Sequence, residues 1–257
     1  MSSTYNVTRD QLITTALIKL GVLEIGDVPD SATVAHLSLN LNLLIKQMAT
    51  DGLKIWKNTE IVFPMTENVV TYTLGGPNSI AMYDSYDTGF AVPLTDKPLK
   101  IIQGFYRNNA VTPPIDVPLQ ILSKQEYNLL GSKQSSGVGN SIFYDLKKNY
   151  GILSVYLEPN SYVATNYNLH LVTQMPMNDL LYGQDVPDFP NEWMNCLLWN
   201  LCDQVAIDYQ VPSNHRQEFL VKAKMYKDQM TDFDVESTST FFQPDMRMRT
   251  NIAGTTV

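Results

Sequence analysis

The sequence predicts an α+β protein in which helices at both ends of the chain enclose an antiparallel β region. Three observations carry that expectation. Residues 8–56 hold two capped stretches with apolar side chains at helical spacing, and residues 188–232 hold a third, longer one. Between them, residues 59–187 are rich in β-branched and aromatic residues that alternate or run in short blocks bounded by turn formers. After Asp232 the periodicity stops, and residues 233–257 form a polar segment expected to be extended.

The first helix is announced by Thr8 and Gln11, a capping box in which side chains satisfy amides at a helix start. Leu12, Ile13, Ala16, Leu17 and Leu20 form one apolar stripe, and Gly21 supplies the stop. A loop containing Gly26 and Pro29 leads to Asp30 or Ser31 as the cap of a second helix. That helix carries Val34, Leu37, Leu41, Leu44, Ile45 and Met48 on one face and is expected to end at Gly52. Two amphipathic helices with a short joint read as an antiparallel hairpin.

Glu60–Phe63 and Val69–Leu74, with a polar turn between them, read as a β-hairpin, and residues 79–96 as a long loop or insertion. Leu99–Tyr106 is expected to be a strand, followed by a Pro-rich stretch over 112–118 and a short strand at Gln120–Leu122. Ser123 with Glu126 is a second capping box, opening a short helix with Tyr127, Leu129 and Leu130. The Ser/Gly-rich stretch 131–139 reads as a mobile loop. Ile142–Tyr144 and Ile152–Leu157 read as strands joined through 147–151. Tyr167, Leu169, Leu171 and Thr173 alternate as in a half-buried strand, which places His170 on its polar side. Pro190 and Glu192 suit a helix start, and Trp193, Leu197, Leu201 and Val205 share a face. Pro212 interrupts, Ser213 re-caps, and Phe219, Leu220, Ala223, Tyr226 and Met230 continue to about Asp232.

Composition narrows the function classes. The net charge of −8 argues against nucleic acid as the primary ligand, because phosphate binding needs a basic face. The charged fraction is only 17% with 14 Tyr, a surface polar but uncharged of the kind that protein interfaces favour. Charge is also uneven. Residues 97–148 carry Lys97, Lys100, Arg107, Lys124, Lys133, Lys147 and Lys148, whereas 149–215 contain no Lys or Arg and accumulate acids; such complementary regions suit head-to-tail packing of copies. The pair Cys196 and Cys202 sits six residues apart in a helix, pointing in different directions, and reads as reduced core thiols. The sequence shows neither a basic-then-apolar leader nor an apolar run long enough to span a bilayer, which predicts a soluble protein of a reducing cytoplasm.

No catalytic, cofactor-binding or metal constellation is found. His36, His170 and His215 are scattered without partners at ligand spacing and are expected at the surface; Gly137-Val-Gly139 lacks the third glycine and following helix of a dinucleotide fingerprint. Glu60, Glu67, Asp185 and Asp188 could supply a glycosidase pair, but any acidic protein offers such pairs. Trp193, Trp199 and Tyr209 read as helix core. The segment after Asp232 differs: Phe241, Phe242, Met246, Arg247, Met248 and Arg249 place apolar and cationic anchors in an otherwise aperiodic stretch, the pattern of a tail that orders on binding.

Several stretches carry a family likeness. The run from Leu12 to Gly21 leads through a Gly/Pro loop to a Leu/Asn-rich helix ending at Ala49–Trp56. Thr71–Gly75, Pro98–Ile102, Leu122–Tyr127, Tyr156–Pro159 and Phe189–Trp193 follow in order. Together they resemble the head-to-tail adaptors (tail accessory factors, portal-binding head-completion proteins) of short-tailed bacteriophages over most of residues 8–230; the insertion at 79–92 and the tail fall outside the resemblance. The resemblance implies a non-enzymatic virion protein of the neck, assembled in the host cytoplasm as a homo-oligomeric ring of about twelve copies, a closed cyclic assembly. Such a ring sits beneath the portal protein, extends the DNA channel without sequence-specific binding, helps retain the genome and docks tail nozzle or hub proteins. It implies a helical portal-adaptor core (1–58 with 188–232), a β-rich insertion domain (59–187) facing tail components, and a binding tail (233–257) that engages portal or neighbour. An acidic lumen that repels DNA phosphates would follow from the stretch without cations. Two other classes remain open on the sequence, a virion-associated peptidoglycan hydrolase and a carbohydrate- or receptor-binding tail module.

Overall fold

The computed structural model describes residues 6–50, 57–77, 79 and 96–233, together with the backbone of short strands at 81–84 and 91–93. The chain is α+β, with six α-helices and two β-sheets among the described residues. Helix α1 (Arg9–Lys19) begins on the capping box, with the Thr8 side chain accepting from the Gln11 amide and Gln11 Oε1 accepting from the Thr8 amide at 3.0 Å. It ends in a Schellman-type turn: Val22 N–H reaches Leu17 O, and Gly21 adopts φ +72°, a conformation that favours glycine. Asp30 caps helix α2 (Ser31–Thr50), its carboxylate accepting from the Ala32 and Thr33 amides. Whether Gly52 ends that helix lies outside the described residues.

A 3₁₀ turn at Asn191–Trp193 precedes α5 (Met194–Val205), so Pro190 stands just before the helical turn rather than as its first residue, with ψ 149° keeping it extended. Helix α6 spans Ser213–Phe233. Leu12, Ile13 and Leu17 of α1, Leu37, Leu41 and Ile45 of α2, Leu197, Leu201 and Val205 of α5, and Phe219 of α6 share one hydrophobic core. Contacts along α5 order the layer. His36 and Asn40 of α2 meet Asp208 and Gln204, while Asn200 donates to Ala223 O of α6 and Trp199 packs on Phe219. Helix α5 therefore lies between α2 and α6, and α1 covers it from behind through Cys202 and Ala16.

The strands form a second core. Strands β1 (Asn58–Pro64), β3 (Ala81–Asp84), β4 (Ala91–Pro93), β5 (Lys100–Asn108), β6 (Ile115–Pro118) and β10 (Tyr167–Gln174) make a six-stranded sheet in the order β4-β3-β1-β10-β5-β6. Strands β2 (Thr71–Leu74), β7 (Gln120–Leu122), β8 (Ser141–Leu146) and β9 (Gly151–Tyr156) make a four-stranded sheet ordered β2-β9-β8-β7. Phe63, Tyr106, Leu169 and Leu171 of the first sheet meet Tyr72, Leu74, Ile142, Leu153 and Val155 of the second. This is a sandwich built from the inward-facing half of each strand.

Several sequence expectations are corrected here. The stretches 60–63 and 69–74 are not a hairpin: β1 pairs with β10 and β3, whereas β2 pairs with β9 across the sandwich. Both strands carry alternating apolar residues, and the turn at 65–70, with Asn68 at φ 58°, lets the chain arch between sheets so that Phe63 and Tyr72 meet at 5.4 Å in the core. The region 79–96 contains the paired strands β3 and β4 and extends the large sheet. The β region is not wholly antiparallel, since β7 runs parallel to β8. The stretch 131–139 is tied down rather than mobile, with Gly137 N–H bonded to Glu158 O and Glu158 N–H to Ser135 O. Two short helices occur in the β region: α3 (Lys124–Leu129) on its expected Ser123/Glu126 box, and α4 (Ser161–Asn166), capped by Asn160, which the sequence reading passed over.

Candidate interaction surface

The six residues singled out as tail anchors, Phe241, Phe242, Met246, Arg247, Met248 and Arg249, lie outside the described residues. Within the described residues the β body exposes Leu129, Ile115 and Tyr162 on separate elements, whereas on the helical layer exposed apolar residues align along single helices. Helix α2 buries Leu37, Leu41, Leu44 and Met48 on one side. Leu39 and Leu43, 61% and 55% exposed, point the opposite way together with exposed Ala32 and Ala35. At 100° per residue these four fall within about 80° of one another, a second apolar stripe on a helix that already has one. On the far flank of the layer, α6 turns Phe219 and Ala223 inward and leaves Val221 and Met225 outward, 65% and 43% exposed. An amphipathic helix in a stable monomer has a polar outer face; here apolar residues interrupt it, on α6 among exposed Gln217, Lys224 and Asp228 and on α2 beside exposed Lys46.

A third feature is the loop from Met177 to Phe189, which crosses the ends of α1 and α2. Asn42 brackets Leu180, its amide donating to Leu180 O at 3.1 Å and its carbonyl accepting from Leu180 N–H at 2.9 Å. Arg9 donates to Leu181 O at 2.8 Å, Asp185 accepts from the Leu181 and Tyr182 amides at 2.7 and 2.6 Å, and Lys46 donates to Met177 O and pairs with Asp179 at 2.7 Å. A Cβ at Gly183 would displace the Asp10 carboxylate, which lies against the loop there. The result is a pinned backbone that holds Leu181 and Tyr182 in solvent, 68% and 73% exposed. A pre-ordered loop loses little entropy on binding, which is why rigid aromatic and aliphatic side chains make effective contacts.

Two grooves flank Asp203, one of ≈ 430 Å³ between the end of α5 and the start of α6 and one of ≈ 290 Å³ between α2, α5 and α6. Asp203 sits in the last turn of α5, where the helix dipole disfavours an anion, and burial raises its pKa while Arg216 opposes the shift. Neither groove is lined by histidine or cysteine.

The remaining titratable groups are structural in setting. Among the described residues no group of three or more His, Cys, Asp or Glu is placed to hold a metal ion. The expectation that His170 is a surface residue is corrected: it is 6% exposed, with Nδ1 2.6 Å from Glu60 Oε1 and its ring stacked on Phe105 at 4.7 Å. The reason is topological, because β10 is an inner strand of the six-stranded sheet and both of its faces are covered by neighbours' side chains. His36 is exposed and bound to Asp208 at 3.0 Å. Cys196 and Cys202 are buried thiols, and burial pushes the Cys202 thiol up to about 12, which keeps it protonated at neutral pH. Of the four carboxylates that could supply a glycosidase pair, Glu67 is exposed and the other three are engaged: Glu60 with His170, Asp185 with backbone amides, and Asp188 with Lys57 at 3.0 Å and the Asn178 amide. Trp193 is core, while Trp199 is partly exposed, with Lys19 and Lys222 over its ring at 4.5 and 4.4 Å.

The acids of the stretch 149–215 lie mostly in the loop before α5 and in the turns flanking it, and Asp179, Asp188 and Asp208 have cationic or histidine partners. Among the described residues no helix is long and apolar enough to cross a membrane. Neither the protein-family models nor the curated proteins compared with this chain match it.

Proposed function

We propose that this chain is a head-to-tail connector adaptor, a structural protein that forms a ring beneath a portal, extends the DNA channel, helps retain the genome and docks the tail. The observation that carries the reading is the helical layer: apolar side chains exposed on α2 and α6 and a pinned loop presenting Leu181 and Tyr182, beside shallow grooves lined by neither histidine nor cysteine. A layer of that kind supports assembly better than turnover. The order of motifs along residues 12–193 supports the same reading through its resemblance to the adaptor family. In this reading an amino-terminal helical hairpin (α1 and α2) and the long carboxy-terminal helix form the portal-adaptor core, residues 59–187 face tail components, and residues 233–257 engage portal or neighbour through Phe241, Phe242, Met246 and Arg247.

Electron microscopy and native mass of the protein mixed with its portal test the proposal. A cyclic complex is expected, and deletion of the residues after Asp232 is expected to weaken portal binding with the fold intact. Absence of any complex, or a clear zone on a peptidoglycan zymogram from the purified protein, would replace the adaptor reading with another.

A further inference from the structure

Leu39 and Leu43 lie on a narrow strip of α2 between two engaged sides. Ser38, Asn42 and Lys46 face Arg9 and the Met177–Phe189 loop, while His36, Asn40 and Gln47 face α5 and the groove beside it. The strip between them is exposed. What reaches it follows from where α6 ends. Asn40 is level with Gln204, and Asn200, one turn away on α5, is level with Ala223. Leu43 is therefore level with about residue 222 of α6. Both helices run antiparallel to α5, and Leu44, Gln47 and Met48 of α2 line one groove with Lys227 of α6.

Helix α6 ends at Phe233, about 16 Å beyond the level of Leu43, and the sideways step across the shared groove is about one helix diameter. The path from Phe233 back to Leu43 is thus roughly 20 Å. The chain from Phe233 to Phe241 extends up to about 26 Å, so the aromatic pair Phe241–Phe242 reaches the strip by running back antiparallel to α2.

The chemistry beyond that point keeps the same order. From Leu39 the axis of α2 continues about 14 Å to its cap, Asp30. Just before the cap, Ile25 and Val28 are 89% and 88% exposed beside exposed Glu24 and Asp27, which enter no salt bridge among the described residues. From Phe242 to Arg247 the chain extends up to about 17 Å. Met246, Arg247, Met248 and Arg249 supply the apolar and cationic side chains that this end of the layer leaves without partners. A tail on so short a tether is present at an effective concentration of about millimolar, which favours its own helix over a second copy's.

We infer that residues 241–249 dock on α2 of the same molecule, with Phe241 and Phe242 on Leu43 and Leu39, and Arg247 and Arg249 at Glu24 and Asp27. The contact holds the anchors back in the free chain, and a portal or neighbour must displace them. Only that last consequence rests on the adaptor reading; the contact itself needs no portal.

The test uses full-length protein carrying Leu43→Cys and Phe241→Cys, since both native cysteines are buried. Mild oxidation is expected to give an intramolecular disulfide, a faster-migrating monomer without reductant, to an extent unchanged by tenfold dilution. The control is Val221→Cys with Phe241→Cys, because Val221 is exposed, about 18 Å from Phe233, and turned about 120° from Lys227 around α6. It is expected to close roughly tenfold more slowly. Adding Arg247→Glu and Arg249→Glu to the first pair is expected to slow closure several-fold, with circular dichroism unchanged. Closure no faster than the control, disulfide-linked dimers that increase with concentration, or closure indifferent to the arginine changes would each overturn the inference. Closure in a protein that binds no portal would remove the adaptor reading and keep this contact; portal binding without closure would do the reverse.

Discussion

The helical layer and the β-sandwich solve the same problem differently. In the sandwich, apolar residues of β1, β5 and β10 point to a partner sheet, and the outward polar residues largely close on each other, as Glu60 does on His170 and Arg107 on Asp116. In the helical layer the core is equally buried, yet Leu39, Leu43, Val221 and the loop pair Leu181–Tyr182 face solvent without closure. The β body also exposes apolar side chains, Leu129 at 77%, Ile115 at 56% and Tyr162 at 54%, but on separate elements, whereas Leu39 and Leu43 align along one helix. On the adaptor reading proposed above, that alignment makes the helical layer the better candidate for assembly.

If the two bodies have separate cores, a cavity in one should leave the other standing. Leu201 is fully buried at the centre of α5, and Leu201→Ala is expected to cost the helical layer about 2–5 kcal/mol. Hydrogen exchange resolved along the chain should show faster exchange in α1, α2, α5 and α6 with the sheet amides protected as before. Uniform loss of protection across both bodies would mean one cooperative core and would break the comparison.

The sandwich's outward closure can be opened at His170. Replacing it with Ala removes the partner of Glu60 and the ring stacked on Phe105, at an expected cost of about 1–3 kcal/mol in denaturant unfolding. His170→Gln, which keeps a donor near Glu60, should recover part of that loss. Equal stability for Ala and wild type would mean the pair contributes nothing. A smaller effect of opposite sign is expected at Tyr106. Its hydroxyl is buried with no hydrogen-bond partner among the described residues, and burial raises its pKa strongly. Tyr106→Phe removes an unsatisfied polar atom and should leave stability unchanged or raise it by up to about 1 kcal/mol, read as a shift in the thermal midpoint.

How much of this was legible in the sequence follows from the range of each interaction. Both capping boxes, the stop at Gly21 and the inward faces of α1 and α5 are local, and residues within a few positions state them. The arch between β1 and β2 was not legible, because a hairpin and an arch use the same alternating strands and differ only in partners distant along the chain. His170 was misplaced for a related reason: alternation assigns it to the outward face, but only the strand order shows that face is covered. The interaction surface was partly legible. Leu39 and Leu43 fall opposite the Leu37–Leu41–Leu44 stripe, so helical spacing alone marks them as a second face, yet they were passed over in favour of the core stripe. The pinned loop was beyond reach, since Arg9, Asn42 and Asp185 come together only in the folded chain.

The finest probe of the closed β surface is the Arg107–Asp116 pair, joined by two 2.8 Å hydrogen bonds on the β5–β6 edge. The hydrogen bond from Arg107 holds the Asp116 carboxyl below its ordinary range and raises the guanidinium in turn. A depressed folded-state pKa binds protons more weakly than the unfolded chain, so the stabilisation is complete above the unfolded carboxylate range and is lost as pH falls through the lowered value. Both side chains are more than a third exposed, and solvent screening limits the pair to about 0.5 kcal/mol. Wild type should therefore melt slightly above Asp116→Asn at about pH 7, with the gap closing as pH falls through the lowered Asp116 pKa and shrinking in high salt. A gap that widens on acidification would show that Asp116 is repelled in the folded state, and the β surface would then not be closed by its own charges.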